Sequence, residues 1–231
     1  MPSEKRKPLF EILAGAAASA VSLVRRSSER VYGSRRSAGR PDSDPGSWTA
    51  ELLRELEWRR FEQLCAAYFE TLGFRTRLVR SAAHGSADIH LHGERCEDAS
   101  MIAQCKAWSA YRIGINPVRE LRAAMASASV GKGALLAPGR FTQEAIAFAG
   151  RENIQLIDGA RLLGELAALS AEKALALLRF ATQGDYRTPT CPSCSIKMVT
   201  RQSTSRGRKF WGCRNYPHCK QMFWGTENAP A

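Results

Sequence analysis

Three features of the sequence predict an α/β protein: a mixed sheet flanked by helices, followed by a small metal-held module. An apolar run with helical spacing gives way to three strand-like segments and then to alternating helices and strands. Four cysteines fall within 29 residues near the C-terminus. Charge gathers at both ends of the chain and leaves the middle nearly neutral.

The helical run opens the compact part. Leu52, Leu53, Leu56, Phe61, Leu64, Cys65, Tyr68, Phe69 and Leu72 recur at helical spacing from Trp48 onward, and Gly73 ends the run. Strands are expected over 74–79, 88–92 and 101–108, the second because polar and apolar residues alternate in it. Pro117 sits where a helix takes its first proline, and Val118, Leu121, Met125 and Ala128 follow. A short apolar strand over 133–137 comes next, then a helix capped by Thr142 and running through Ala149. A strand over 154–157, a helix over 160–169 and a helix capped by Ser170 complete the domain. The boundaries are 48–182, long enough for one core.

Upstream, residues 1–24 carry a basic start at Lys5-Arg6-Lys7, then the apolar stretch Leu9 to Val24, interrupted by Glu11, Ser19 and Ser22. Sixteen residues, many of them Ala, fall short of the ~20 strongly apolar residues that a spanning helix needs. Ala18-Ser19-Ala20 resembles a signal cleavage site, but thiol chemistry downstream argues against export. A surface amphipathic helix or a weak membrane contact is the expectation. Residues 25–47 hold six Arg, six Ser, three Gly and two Pro, a composition that cannot offset its own ordering entropy and reads as a linker.

The 231 residues are 44% hydrophobic, with mean hydropathy −0.31. Wholesale disorder and a polytopic membrane protein are both excluded. Thirty-four basic residues face 22 acidic ones, for a net charge of +12. Eight basic residues and one acidic residue lie in 186–231. A basic tail points to a polyanion, most often nucleic acid, ahead of a role in solubility alone.

In the middle domain Asp88 opens one strand and Gln104-Cys105-Lys106 lies in another. Residues two apart on a strand share a face, so Gln104 and Lys106 point one way and Cys105 the other. If the two strands pair, a carboxylate, an amide oxygen and an ammonium converge. Such a set suits metal-assisted phosphodiester hydrolysis. The carboxylate and amide oxygen hold a hard cation, and the lysine steadies the water and offsets charge on the phosphate. On spacing alone, however, the pattern fits a surface lysine and an edge-strand glutamine better. His90 and His92 share the Asp88 face and with His84 offer a less favoured transition-metal alternative. Cys65 and Cys105 read as core fillers. There is no nucleophile-elbow serine and no Walker spacing around Gly131-Lys132-Gly133, so no nucleotide-driven motor is expected.

Several segments carry a resemblance that decides between these readings. Leu56-Glu57-Trp58-Arg59-Arg60-Phe61-Glu62, with Leu64, Ala67, Phe69 and Gly73-Phe74, is followed by His84-Gly85-Ser86-Ala87-Asp88-Ile89 and Gln104-Cys105-Lys106-Ala107-Trp108. Val118-Arg119-Glu120-Leu121 and Phe141-Thr142-Gln143-Glu144-Ala145 complete the series. In this order, over roughly residues 50–165, they resemble the Mrr-like restriction endonucleases of the PD-(D/E)xK superfamily. The resemblance implies a restriction-endonuclease-like fold with Asp88, Gln104 and Lys106 as the catalytic set, and Gln104 is that family's own variant of the usual Glu. It also implies an acidic residue from the first helix, which maps onto Glu62. The approach Ser81–Ala87 lacks the family's extra Asp and one Gly.

Cys191-Pro192-Ser193-Cys194 with Cys213 and Cys219 supplies four soft ligands for a structural Zn²⁺. His218 competes with Cys219 for the fourth place, and Cys219 is the simpler choice. The surrounding residues, notably Phe210 to Cys219, resemble the C-terminal zinc ribbons of type IA topoisomerases, which implies DNA binding. Arg206, Arg208, Lys209, Arg214 and Lys220 interleave with Phe210, Trp211 and Tyr216, so cations can track phosphates while rings stack on bases. Phe210 and Trp211 fit the ribbon's own small core equally well.

The reading is therefore a Mg²⁺-dependent DNA endonuclease, with Mn²⁺ an acceptable substitute, carrying a Zn²⁺ ribbon over 188–225. Asp88 and Gln104 hold the metal, Lys106 supports the water, and Glu62 is an accessory. The resemblance implies a role in defence against foreign or modified DNA and a homodimer, and the thiol metal site points to a reducing, cytoplasmic location. The rival is a catalytically silent DNA-binding protein, with or without a membrane tether through its N-terminus.

Overall fold

The computed structural model describes residues 46–80, 87–93, 99–107, 112–203 and 207–224. The expected N-terminal helix and nearly all of the linker lie outside these residues, as do His84, Trp108 and Arg206. Among the described residues no helix is long and apolar enough to cross a membrane.

The expected first helix is two helices, α1 (Ala50–Glu55) and α2 (Trp58–Thr71). Apolar spacing continues across the junction, so periodicity alone could not reveal the break. Leu56 and Glu57 are extended there, and the Glu57 side chain caps α2 by accepting from Arg59 N–H at 3.2 Å. Three strands follow: β1 (Arg75–Arg80), β2 (Ala87–His92) and β3 (Met101–Cys105). The short β4 (Arg112–Ile113) leads into α3 (Ile115–Ser127), β5 (Gly133–Leu136) and β6 (Arg140–Phe141). Next come α4 (Gln143–Arg151), β7 (Ile154–Ile157), α5 (Gly159–Ala167) and α6 (Ala171–Thr182). Helix α3 starts two residues before Pro117, which occupies the third helical position. Its missing N–H is still among the four that a helix start leaves unpaired. The parallel pair β4–β6 was not expected, since two-residue strands carry no periodicity.

Five strands form the main sheet in the order β1-β2-β3-β5-β7. β1, β2 and β3 are antiparallel neighbours, whereas β3, β5 and β7 are parallel, joined through α3 and α4. This is the mixed α/β sheet with helices on both faces that the element order predicts.

Apolar side chains alternate between two cores. Ile89, Leu91, Ala103 and Cys105 point toward Phe61, Leu64, Cys65, Tyr68 and Phe69 of α2. Ile102 and Leu135 point toward Val118, Leu121 and Met125 of α3 and toward Ala145 and Ala149 of α4. All five residues of β3 are buried, as the middle strand of a sheet covered on both sides must be. Gly133 lets α3 close down on β5, because a Cβ there would lie 2.5 Å from Met125 Sδ.

A three-stranded antiparallel sheet, β8 (Val199–Gln202), β9 (Lys209–Gly212) and β10 (Met222–Trp224), ends the chain in the order β10-β9-β8. It is fastened to the larger domain at the α1–α2 break. Buried Glu57 accepts from Thr190 N–H at 3.1 Å, from Thr190 Oγ1 at 2.9 Å and from Lys197 Nζ at 3.2 Å. Trp58 Nε1 donates to Thr190 O at 2.7 Å, and Glu57 N–H donates to Tyr186 O at 2.8 Å. A buried carboxylate is costly unless every lone pair finds a donor, and here most do. Glu57→Ala should therefore cost about 3 kcal/mol in urea unfolding, near the low end for breaking a buried pair because Lys197 is 33% exposed. Amide protection over 188–203 should fall before that of the main sheet, as hydrogen exchange would show.

Candidate active site and metal-binding ribbon

The pairing of β2 with β3 sets Asp88 directly opposite Gln104. Gln104 Nε2 donates to Asp88 Oδ1 at 2.8 Å. The other end of that amide, Gln104 Oε1, is buried and has no hydrogen-bond partner. An orphaned buried carbonyl oxygen beside a carboxylate is a hard donor set, and it fits a cation of the Mg²⁺ class. Lys106 follows β3 on the same face, with its Nζ 3.0 Å from Glu120 Oε2 on α3. Glu120 stands in one of the matching segments, but its link to Lys106 is not visible in the sequence. Nothing in the spacing joins a helix position to a strand 14 residues away.

Glu62 is buried on α2, which packs on the opposite face of the sheet, the one carrying Ile89, Leu91 and Cys105. Its charge reaches Cys105. Burial first, then Cys65, Glu62 and Asp88, hold the Cys105 thiol well above its usual pKa. Cys65 and Cys105 are both free and buried in the first core, where an apolar filler belongs.

His90 and His92 lie on the Asp88 face. Burial lowers the His90 pKa, against the opposing pull of Asp88. Among the described residues, the one group of three or more potential metal ligands that converges is made of cysteines. His84, the third member of the histidine alternative, lies outside the described residues.

Those cysteines are Cys191, Cys194, Cys213 and Cys219, whose sulfurs all lie within 4.8 Å of one another. Cys191 Sγ and Cys219 Sγ are 3.7 Å apart. Tetrahedral Zn²⁺ with bonds of ~2.3 Å needs sulfurs ~3.8 Å apart, so the cage fits. His218 is exposed, and Cys219 takes the fourth place. Burial pushes the Cys191 thiol up to about 12, whereas the Gln221 N–H lowers that of Cys219. A bound dication supplies the field that makes all four thiolates.

Register divides the ribbon's aromatics. Trp211 and Phe223 are partners across β9 and β10 and pack against the cysteine cluster. Phe210 and Trp224 pair on the other face with ring centroids 5.5 Å apart. Trp224 is 51% exposed and Met222 47%. Arg201 lies opposite Phe210 on that face and stacks 5.1 Å from the ring of Tyr216, itself 59% exposed. Arg208, Lys209, Arg214 and Lys220 are all exposed. Of the two rings that the sequence left open, Phe210 faces outward and Trp211 inward. Arg201 and Trp224 join the outward face, a placement that the two-residue period of β8 and β10 could have revealed.

The restriction endonuclease family model matches residues 53–166. Residues 53–166 form an Mrr-type restriction endonuclease domain. Residues 188–228 match the topoisomerase DNA binding C4 zinc finger, so the C-terminal module is a zinc ribbon of that type.

No curated protein matches the chain. Similar solved structures include EndoMS in apo form, at 16% identity and TM-score 0.35, covering 43% of this chain and 44% of that one. The DNA modification-dependent restriction endonuclease AspBHI is 15% identical, with TM-score 0.42, covering 78% and 50%. The MspJI restriction endonuclease in complex with a 27-mer oligonucleotide is 15% identical, with TM-score 0.31, covering 62% and 35%. The chain thus spans half or less of each of these proteins.

The protein should purify with one zinc per chain by atomic absorption, and Cys213→Ser should lose most of it. Trp211 emission should shift to the red as the ribbon opens, while the helical circular dichroism of the larger domain persists.

Proposed function

We propose that this protein is a Mg²⁺-dependent DNA endonuclease whose ribbon holds DNA while the α/β domain cuts it. The observation that carries the reading is the pair formed by Asp88 and Gln104, with a buried, unpartnered amide oxygen and Lys106 on the same face. Asp88 and Gln104 would hold the cation, which, when bound, polarises the phosphoryl oxygen and acidifies a water. Lys106 places a positive charge beside the phosphate, where negative charge grows as water adds and the ester oxygen departs. Glu120 holds that ammonium by an ion pair at 3.0 Å. Glu62 adds negative potential from the other face of β3, as an accessory rather than a ligand.

Water adds across one P–O bond, leaving a phosphomonoester and a hydroxyl. On the ribbon, Phe210, Tyr216 and Trp224 offer ring faces to bases while Arg201, Arg208, Lys209, Arg214 and Lys220 meet phosphates. Reduced thiols suit the cytoplasm, and the endonuclease family suits defence against foreign or modified DNA. A homodimer would let two sites cut both strands.

The silent DNA-binding alternative draws on the Lys106–Glu120 ion pair, which already occupies the lysine. A plasmid-nicking assay with Mg²⁺ separates the two. The wild type should exceed Lys106→Ala and Asp88→Ala by at least about 100-fold, in keeping with the loss of one charge stabiliser at a phosphoryl centre. Equal nicking by all three proteins on methylated and unmethylated plasmid would sink the nuclease, and cleavage confined to an RNA panel would reassign the substrate.

A further inference from the structure

The catalytic face of the sheet does not end at Asp88. Strand pairing sets Val79 opposite Asp88, Arg77 opposite His90 and Arg75 opposite His92, so all six residues lie on one face. Burial confirms the division: Ile89 and Leu91 are fully buried on the α2 side, while Arg75 and Arg77 are exposed. The charges that act on His90 are those of Asp88, Arg77 and His92, so these groups are spatial neighbours. Helices α3 and α4 pack over β3, β5 and β7 on this face. Beyond them, β1 and β2 present two arginines and two imidazoles, and Asp88 is the single acidic side chain that the two strands carry on that face.

We propose that the outer face of β1 and β2, carried by Arg75 and Arg77, is a second DNA-binding surface that holds the duplex backbone beside the scissile phosphate. This rests on the nuclease reading and adds to it a grip on the catalytic domain itself. The two arginines are one strand pleat apart, about 7 Å, close to the spacing of successive phosphates along a strand. A guanidinium fork matches a phosphate and carries no base preference, so this surface positions DNA without reading its sequence. His90 stands between Arg77 and the metal-binding carboxylate, and the Nε2 of His92 beside Arg75 is buried. The ribbon's aromatic face, by contrast, suits unstacked bases. The two surfaces divide duplex from single strand.

The test is the salt dependence of binding by the full-length protein, in the cleavage-silent Lys106→Ala background, to a mixed-sequence duplex of about 30 base pairs between about 50 and 200 mM KCl. Adding Arg75→Gln with Arg77→Gln should reduce the slope of log K against log salt by about 1.8, for two phosphates no longer neutralised. Arg75→Lys with Arg77→Lys should keep the slope. So should a control pair, Arg151→Gln with Arg179→Gln, which removes the same charge from α4 and α6. Circular dichroism and zinc content should match the parent in every case.

An unchanged slope in the glutamine pair overturns the surface, as does an equal loss in the control pair. Binding confined to single strands overturns the duplex assignment. A parent protein that binds no DNA, with a wild type that cuts none, sinks the nuclease reading itself, before any arginine is changed.

Discussion

The antiparallel pairing of β2 with β3 is the constraint on which the candidate site depends. It fixes Asp88 against Gln104, and it holds because β3 is the middle strand, buried on both faces. A slip of one residue would turn Ile89 and Leu91 out of the first core and Asp88 into it. Hydrophobic burial therefore sets the register, and the register delivers the polar pair. The site carries a cost, since a buried carbonyl oxygen without a partner forfeits about 1–3 kcal/mol. Uncompensated groups of this kind are rare in folded proteins and gather where a ligand is to be taken up.

The ribbon solves a different problem. Its apolar centre is small: Cys191, Met198 and Cys213 are its fully buried members, with Trp211 and Phe223 packed alongside. So little burial cannot offset chain entropy, and the four thiolates around a cation supply what the core lacks. Spending Trp211 and Phe223 on that centre leaves Phe210, Trp224 and Tyr216 for the solvent side. Glu57 then joins the ribbon to the larger domain through side-chain hydrogen bonds to Thr190 and Lys197. The α1–α2 break, which interrupts an otherwise continuous helical pattern, is what frees Glu57 to cap α2 and clasp the ribbon at once.

Much of the fold was legible because burial writes its period into the sequence. The long helices, the apolar strands β3, β5 and β7, and the capping residues Thr142 and Ser170 all announce themselves. What could not be read was set by partners far along the chain. The break at Leu56–Glu57 answers to Thr190, the β4–β6 pair joins two-residue segments, and Lys106 meets Glu120 across a helix. At the candidate site the two-residue period placed Gln104 and Lys106 on one face, and strand pairing brought Asp88 beside Gln104. Glu62 came only from the resemblance, and its helix packs on the other face. The four cysteines were plain, since CxxC spacing is itself a local geometry. Which ribbon aromatics face outward needed the register of β9 against β10.

Among the described residues β1 is the outermost strand of the main sheet, paired with β2 alone. Its other side offers a row of amide and carbonyl groups that would template a foreign strand. Arg75 and Arg77 stand along that border, and like charges meeting edge to edge repel. Fusing two sheets at β1 would bring these arginines together, a like-charge cost that guards the edge.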